Sequence, residues 1–318
     1  MSFRIVSTGS FLPPRVVMNQ ELEGMMDTSD QWIRERTGVL SRHICTTETA
    51  SDMGLIAAKR ALESAGTKPE ELDMIIAASI SGAYISPGVS NLVQTGLGAT
   101  CPTMDISAAC SGFLFALDTA AGFFNHPHRP AKKILIVCAE QMSRLVDWTD
   151  RGTAIIFGDG AGAALLESGD NYLSSQLYTR GDFVIKIPTN IGISPFWEGE
   201  QERPLIHMRG QETFKFAVSV LAADVESVLS QAGLTTADVD HVVPHQANYR
   251  IIESAMKRLD IPAERFGVNI STTGNTSAAS VPLVLDELNQ AGKLVRGDII
   301  VLSAFGGGLA SAASVLRW

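Results

Sequence analysis

The sequence predicts an α/β fold built from two copies of one unit, and three observations carry that prediction. The stretch ALESAGTKPEELDMII (Ala61 to Ile76) returns as VLSQAGLTTADVDHVV (Val228 to Val243), with Ala65 and Asp73 each 167 positions before Ala232 and Asp240. KKILIVCAE (Lys132 to Glu140) returns as GDIIVLSAF (Gly297 to Phe305). ACSGFLFALD (Ala109 to Asp118) returns as AASVPLVLD (Ala278 to Asp286), and GDGAGAALL (Gly158 to Leu166) as GGGLASAASVL (Gly306 to Leu316). Several matches in one chain order signify an internal duplication. The expected halves are 1–170 and 171–318.

Each repeated element has a local reason. Ala61 to Ile76 ends a helix at a glycine, crosses a short capped connection and enters a β-rich run, and Val228 to Val243 does the same. The uninterrupted apolar runs that follow have the composition of strands covered on both faces. Cys110 sits between a strand-like run and residues with helical apolar spacing, at a strand-to-helix turn. GDGAG has no Lys-Ser/Thr and leads into strand-like AALLES. Neither a phosphate loop nor a dinucleotide fingerprint fits it. Two such units packed about a pseudo-twofold axis bring equivalent helix N-termini together, and a site is expected there.

Composition narrows the classes. The 318 residues correspond to about two domains of ~150 residues. A hydrophobic fraction of 45%, a charged fraction of 19% and a mean hydropathy of +0.14 imply a large core and exclude intrinsic disorder. Twenty-five Lys and Arg against 34 Asp and Glu give a net charge of −9, which is the wrong field for nucleic acid. An acidic partner therefore requires basic residues gathered locally. Cys45, Cys101, Cys110 and Cys138 form no C-x-x-C pair, which suits a reduced, cytoplasmic setting. The start, MSFRIVSTGSFLPP, does not read as a signal peptide, and no apolar run has the length of a membrane span.

Three side chains stand out as chemical candidates. A helix N-terminus concentrates N–H donors, so the Cys110 thiol is expected to have a lowered pKa and to act as a nucleophile. The competing reading is a small buried core residue. His245, in VVPHQAN, lies just past a strand end, where α/β folds carry their sites. Asn275, in TTGNTSAAS, caps or turns the next helix, or else points its amide into a shared cleft opposite Cys110. FGGG (Phe305 to Gly308) either lets backbone N–H groups approach a ligand or makes a tight strand connection. His126 and His128 read as surface residues, and no histidine or cysteine spacing suggests a metal site.

TSDQWIRERTG, ISAACSGF, TDRGTAIIFGDGAGAALL, VVPHQAN, GNTSAASVPL and AFGGG, taken together and in order from Ser7 to Trp318, closely resemble the β-ketoacyl-acyl-carrier-protein synthase III family. The resemblance implies a thiolase-like, five-layered αβαβα fold and a Cys110–His245–Asn275 triad, with backbone N–H groups of Cys110 and Gly307 as an oxyanion hole. It also implies CoA contacts at Thr28, Trp32, Arg36, Arg151, Gly152, Ala247 and Asn248. Trp32 and Arg151 are the adenine sandwich. No bound cofactor or metal is implied. Acyl-CoA and malonyl-acyl-carrier protein are the expected substrates, and a homodimer the expected assembly. Lys215, Arg250, Lys257 and Arg258 are the candidate docking face for an acidic carrier. Phe305 and Ser86 are assigned to the acyl pocket. Ser86 stands before Pro87 where acetyl-preferring members often carry an aromatic, so branched or medium-chain primers are expected. The segment 177–204 matches weakly and is expected to reshape that pocket. A secondary-metabolite ketosynthase or acyltransferase, a non-catalytic partner subunit and a cysteine hydrolase are the alternatives. The intact triad argues against the partner subunit.

Overall fold

The computed structural model of the protein describes residues 2–189, 196, 199 and 202–318. The extended runs form nine principal strands: β1 (Ser2–Phe11), β2 (Met74–Ala78), β3 (Thr103–Ile106), β4 (Lys133–Gln141), β5 (Asp159–Gly169), β6 (Tyr172–Thr179), β7 (His241–Pro244), β8 (Ile299–Gly306) and β9 (Ala310–Arg317). The principal helices are α1 (Asp30–Thr37), α2 (Ala50–Ala65), α3 (Val89–Leu97), α4 (Gly112–Phe124), α5 (Gly210–Gln231), α6 (Tyr249–Leu259) and α7 (Ser280–Gln290).

One sheet runs β1-β5-β4-β2-β3 and the other β6-β9-β8-β7. Four strands thus recur in the same order. Where the first sheet has β3, the second has only a bridge from Val242 to Phe266. Successive strand residues face opposite ways, so the unbroken apolar runs need cover on both sides. In β2, Met74, Ile76 and Ala78 join the central core while Ile75 and Ala77 face outward. In β8, Ile300, Leu302 and Ala304 join the same central core, and Val301 and Phe305 belong to the outer one. Helices α4 and α7 fill the centre, α2 and α3 cover the first sheet, and α5 and α6 cover the second. The result is five layers, αβαβα.

The duplicated Leu-Asp pairs tie the halves together. Ser175 on β6 donates to Asp118 on α4 at 2.5 Å, while Thr8 and Ser10 on β1 donate to Asp286 on α7 at 2.6 and 2.5 Å. Each central helix is therefore bonded to the edge strand of the other half. Hydrogen bonds to charged groups contribute about 1.5–3 kcal/mol each. The repeated Asp73 and Asp240 also share a task, each accepting from backbone N–H groups at the start of the neighbouring strand, at Lys132, Lys133 and Ile299. Just before α4 and α7 the chain makes single 3₁₀ turns at Ala109–Ser111 and Ser277–Ala279, with Ala109 (φ 45°) and Ser277 (φ 51°) left-handed. Non-glycine residues adopt that conformation rarely, and mostly at functional turns. These two are 168 positions apart and face one another across the centre.

Candidate active site

A cavity of about 820 Å³ is lined by residues of both halves, including Cys110, His245, Asn275, Phe305 and Gly307. Cys110 reaches it from the turn at the start of α4. Gly306, ending β8, passes so close that an added Cβ would stand 2.8 Å from the Cys110 nitrogen, so only glycine fits there. The Cys110 thiol points at Ser277 Oγ, 3.7 Å away. Its pKa runs against the sequence expectation. Burial pushes the thiol up to about 12, the Ser277 contact pulls it down, and the Glu140 charge raises it again. Desolvation of the thiolate is the largest of these effects, which favours the protonated thiol at rest.

His245 follows β7 and is anchored by its backbone N–H to Ser303 O at 2.7 Å. Its ring is 1% exposed and packs edge-on against Phe305, with centroids 5.4 Å apart. Burial lowers its pKa to about 3, so it is neutral at pH 7. Nδ1 lies 2.6 Å from Ser280 Oγ, and that oxygen already accepts the Gln246 N–H at 3.4 Å. With Ser280 donating to Nδ1, the imidazole N–H stands on Nε2, free to donate. Asn275 serves both roles that the sequence left open. Its Oδ1 accepts the Ser277 N–H at 2.8 Å in an Asx turn, while its residue lines the cavity and its NH₂ remains a donor. Its backbone is pinned by Ile156 O and Gly158 N at 2.9 and 3.0 Å.

The remaining candidates divide. Gly152, Ala247 and Asn248 line the cavity. Asn248 is already engaged: Oδ1 caps α6 at the Arg250 N–H, and Nδ2 donates to Arg36 O. Arg151 and Arg36 stack on Trp32, 5.1 and 5.9 Å from its ring centroid. The guanidinium of Arg151 thus sits on the face expected to receive adenine, steadied by Asp27 O at 3.1 Å. The Thr28 hydroxyl is buried and unpaired. Phe305 is 2% exposed and lines the cavity through its contact with His245. Ser86 does not line the chain's own cavity. Its loop turns outward, leaving Tyr84 63% and Ile85 89% exposed, while Ile80, Ser81, Gly82 and Ile85 of the same connection reach the lining. The basic face is less free than its spacing suggested. Lys257 pairs with Glu253 at 3.0 Å and Arg258 with Glu226 at 3.5 Å. Arg250 lies over Phe214, a cavity-lining ring, and Lys215 is exposed beside it.

Sequence reasoning missed three neighbours of the triad: Glu140, Ser277 and Ser280. The signal for Glu140 was present, a lone carboxylate inside the apolar strand KILIVCAEQ. Of the segment 177–204, Ile185 to Thr189 and Pro204 line the cavity; residues 190–195, 197, 198, 200 and 201 lie outside the described residues. Among the described residues, no three His, Cys, Asp or Glu side chains gather as metal ligands, and no helix is long and apolar enough to cross a membrane.

Five layers in two similar halves, with a Cys, a neutral His and an Asn on one cavity, define an acyl-transferring condensing enzyme of the thiolase-like class. The comparisons agree. A family profile for 3-oxoacyl-[acyl-carrier-protein] synthase III matches residues 104–181, and its C-terminal counterpart matches residues 229–318. A β-ketoacyl-[acyl-carrier-protein] synthase III of Clostridium acetobutylicum is 43% identical, covering 100% of this chain and 99% of its own. The crystal structure of 3-oxoacyl-[acyl-carrier-protein] synthase III from Aquifex aeolicus superposes with a TM-score of 0.93 at 41% identity, covering 99% of this chain and 100% of its own. A priming β-ketosynthase from a polyketide biosynthetic pathway superposes at 0.91 with 34% identity, over 99% and 96%. The chain belongs to the β-ketoacyl-[acyl-carrier-protein] synthase III family and is an acyltransferase of fatty-acid biosynthesis.

Proposed function

We propose that Cys110, His245 and Asn275 join an acyl-CoA primer to malonyl-acyl-carrier protein by decarboxylative Claisen condensation. The observation that carries this reading is that the three side chains, drawn from both halves, share one cavity and leave His245 uncharged. Cys110 attacks the acyl thioester, forming an acyl-Cys110 and releasing CoA. Malonyl carrier protein then loses CO₂, and charge develops on its thioester oxygen. His245 Nε2–H and the Asn275 NH₂ donate to that oxygen, held in place before the charge appears. The carbanion attacks the acyl-Cys110 carbonyl, whose oxygen is stabilised by the N–H groups of Cys110 and Gly307. Loss of CO₂ supplies the carbanion, so the steps call for neither metal nor redox cofactor.

The first half, 1–170, then supplies the nucleophile, and the second, 171–318, the two donors. CoA runs past Thr28, Arg36, Gly152, Ala247 and Asn248, with adenine entering between Trp32 and Arg151 once their stack parts. An acidic carrier protein docks beside the mouth at Arg250 and Lys215, with Lys257 and Arg258 behind them. Two chains form a cytoplasmic dimer, and the loop of Ser86 closes the partner's acyl pocket. The small serine admits branched or medium-chain primers, and labelling of Cys110 by acetyl-CoA alone, with none from isobutyryl- or octanoyl-CoA, contradicts that. The likeness to a polyketide priming ketosynthase favours a second reading with the same chemistry and a different carrier protein. Product analysis separates condensation from hydrolysis: a β-ketoacyl carrier protein supports the proposal, and a free acid overturns it.

A further inference from the structure

Among the described residues, the largest fully buried side chain is a cation. Arg42, in the short strand Ser41–His43, is 0% exposed. Burial lowers its pKa only to about 10, so it stays charged at pH 7. Its hydrogen bonds all go to uncharged oxygens. Nη2 donates to Asn19 Oδ1 and to Ile155 O, each at 2.9 Å, and Nη1 to Val17 O at 3.4 Å. Nε has no partner. Burying a cation among neutral partners costs on the order of several kcal/mol. An apolar side chain would fill the same space without that cost.

The groups that Arg42 bonds lead to the two walls of the CoA entrance. Asn19 is itself 0% exposed, and its Nδ2 donates to Asp30 Oδ1 at 2.9 Å and to Val39 O at 2.8 Å. Both of those partners accept, so the amide turns its Oδ1 towards Arg42. Asp30 begins α1 and Val39 follows its glycine cap, Gly38, so Asn19 grips α1 at both ends. Trp32 and Arg36 belong to that helix. On the other side, Ile155 closes the turn that carries Arg151 and Gly152. Asp150 fastens this turn internally, through the Gly152 N–H and the Thr153 hydroxyl, both at 2.8 Å. One guanidinium thus joins the roots of the two walls, while Trp32 and Arg151 meet at their tips.

Taking Trp32 and Arg151 as the adenine contacts, we propose that Arg42 is a positioning residue that fixes the distance between α1 and the Arg151 turn. It thereby sets the width of the slot that receives the adenine of acyl-CoA. Arg42 is fully buried and does not line the cavity, so it touches neither the substrate nor the reacting atoms. A guanidinium suits the task because its planar fork presents donors in fixed directions. A slot whose walls are already ordered loses no binding energy to arranging them.

The test compares acylation of Cys110 by an acyl-CoA with acylation by the same acyl group on pantetheine, which lacks the adenine nucleotide. Intact mass gives the maximal rate and the half-saturating concentration for each donor. Arg42→Met keeps the length of the side chain and removes its N–H groups. It should raise the half-saturating concentration of acyl-CoA about tenfold, the effect of one lost hydrogen bond. The maximal rate should stay within about twofold, and acyl-pantetheine should be unaffected. Trp32→Ala should lose much of the preference for CoA, and adding Arg42→Met to it should change little more, because both act on one contact. Arg42→Met that weakens both donors alike marks a purely structural role and overturns the proposal, as does Arg42→Met that weakens neither. Should Arg42→Met fail to fold, Asp30→Ala replaces it, a half-buried change at the far end of the same relay. It should show the same selective effect in smaller measure, and the lack of that selectivity overturns the proposal. A wild-type chain acylated equally well by both donors, or Trp32→Ala that keeps the preference for CoA, strikes the adenine reading of Trp32 and Arg151 and the proposal with it.

Discussion

At the scale of single residues, the site separates charge from donation. Cys110 holds its proton and His245 holds none, and burial causes both. Asn275→Ala leaves acylation of Cys110 intact and slows decarboxylation of malonyl carrier protein by about 10²–10³, measured as CO₂ release. His245→Ala does the same. The sign of the pH effect on stability follows from the lowered pKa. Between pH 6.5 and about 3 the unfolded chain binds a proton that folded His245 refuses, so stability is lost as pH falls through that window. Urea unfolding of His245→Gln should show a shallower acid decline than the wild type. Turn and strand-end chemistry marked Cys110, His245 and Asn275 as candidates and the family resemblance grouped them; the structure puts all three on one cavity. The protonation of Cys110 was not legible, because desolvation depends on what covers the thiol, and that cover comes from residues far along the chain.

At the scale of elements, the glycine at the end of β8 is what lets Cys110 sit where it does. Gly306→Ala places a methyl against the Cys110 backbone. The variant should melt markedly lower and lose Cys110 acylation steeply, as the two backbones are forced apart, and thermal unfolding with intact-mass acylation checks both. The strands and central helices were readable from the repeat itself, which also paired Asp73 with Asp240; that both accept backbone N–H groups is a finding of the structure. The surface of α6 was only half readable. Its spacing put Arg250, Lys257 and Arg258 on one side, but Glu226, which pairs with Arg258, belongs to α5, and no periodicity within α6 reveals it. Arg250→Glu is therefore the informative charge reversal. It should raise the KM for malonyl carrier protein, with an effect that shrinks as salt is added, and leave acylation by acyl-CoA unchanged.

At the scale of the whole molecule, a net charge of −9 leaves Arg250 and Lys215 as basic side chains beside the cavity, where the proposed acidic carrier would dock. The two halves contribute unequal chemistry to one cavity, and neither half holds the triad alone. The cavity's apolar wall was less legible than its triad. Ile185 to Thr189 lie beyond β6, where the two halves no longer match, so the repeat gave no guide to them. The exposed pair Tyr84 and Ile85 suits a surface covered by a second chain. Sedimentation should find a dimer, and Ile85→Asp should weaken it. The central claim is that Cys110 carries the acyl group to the condensation step. It is tested most directly by intact-mass analysis after exposure to acyl-CoA and then to malonyl carrier protein. The wild-type chain should gain one acyl group and lose it as β-ketoacyl carrier protein appears, while Cys110→Ala gains none. Acyl uptake by Cys110→Ala, or an acyl group that malonyl carrier protein cannot discharge, contradicts the account.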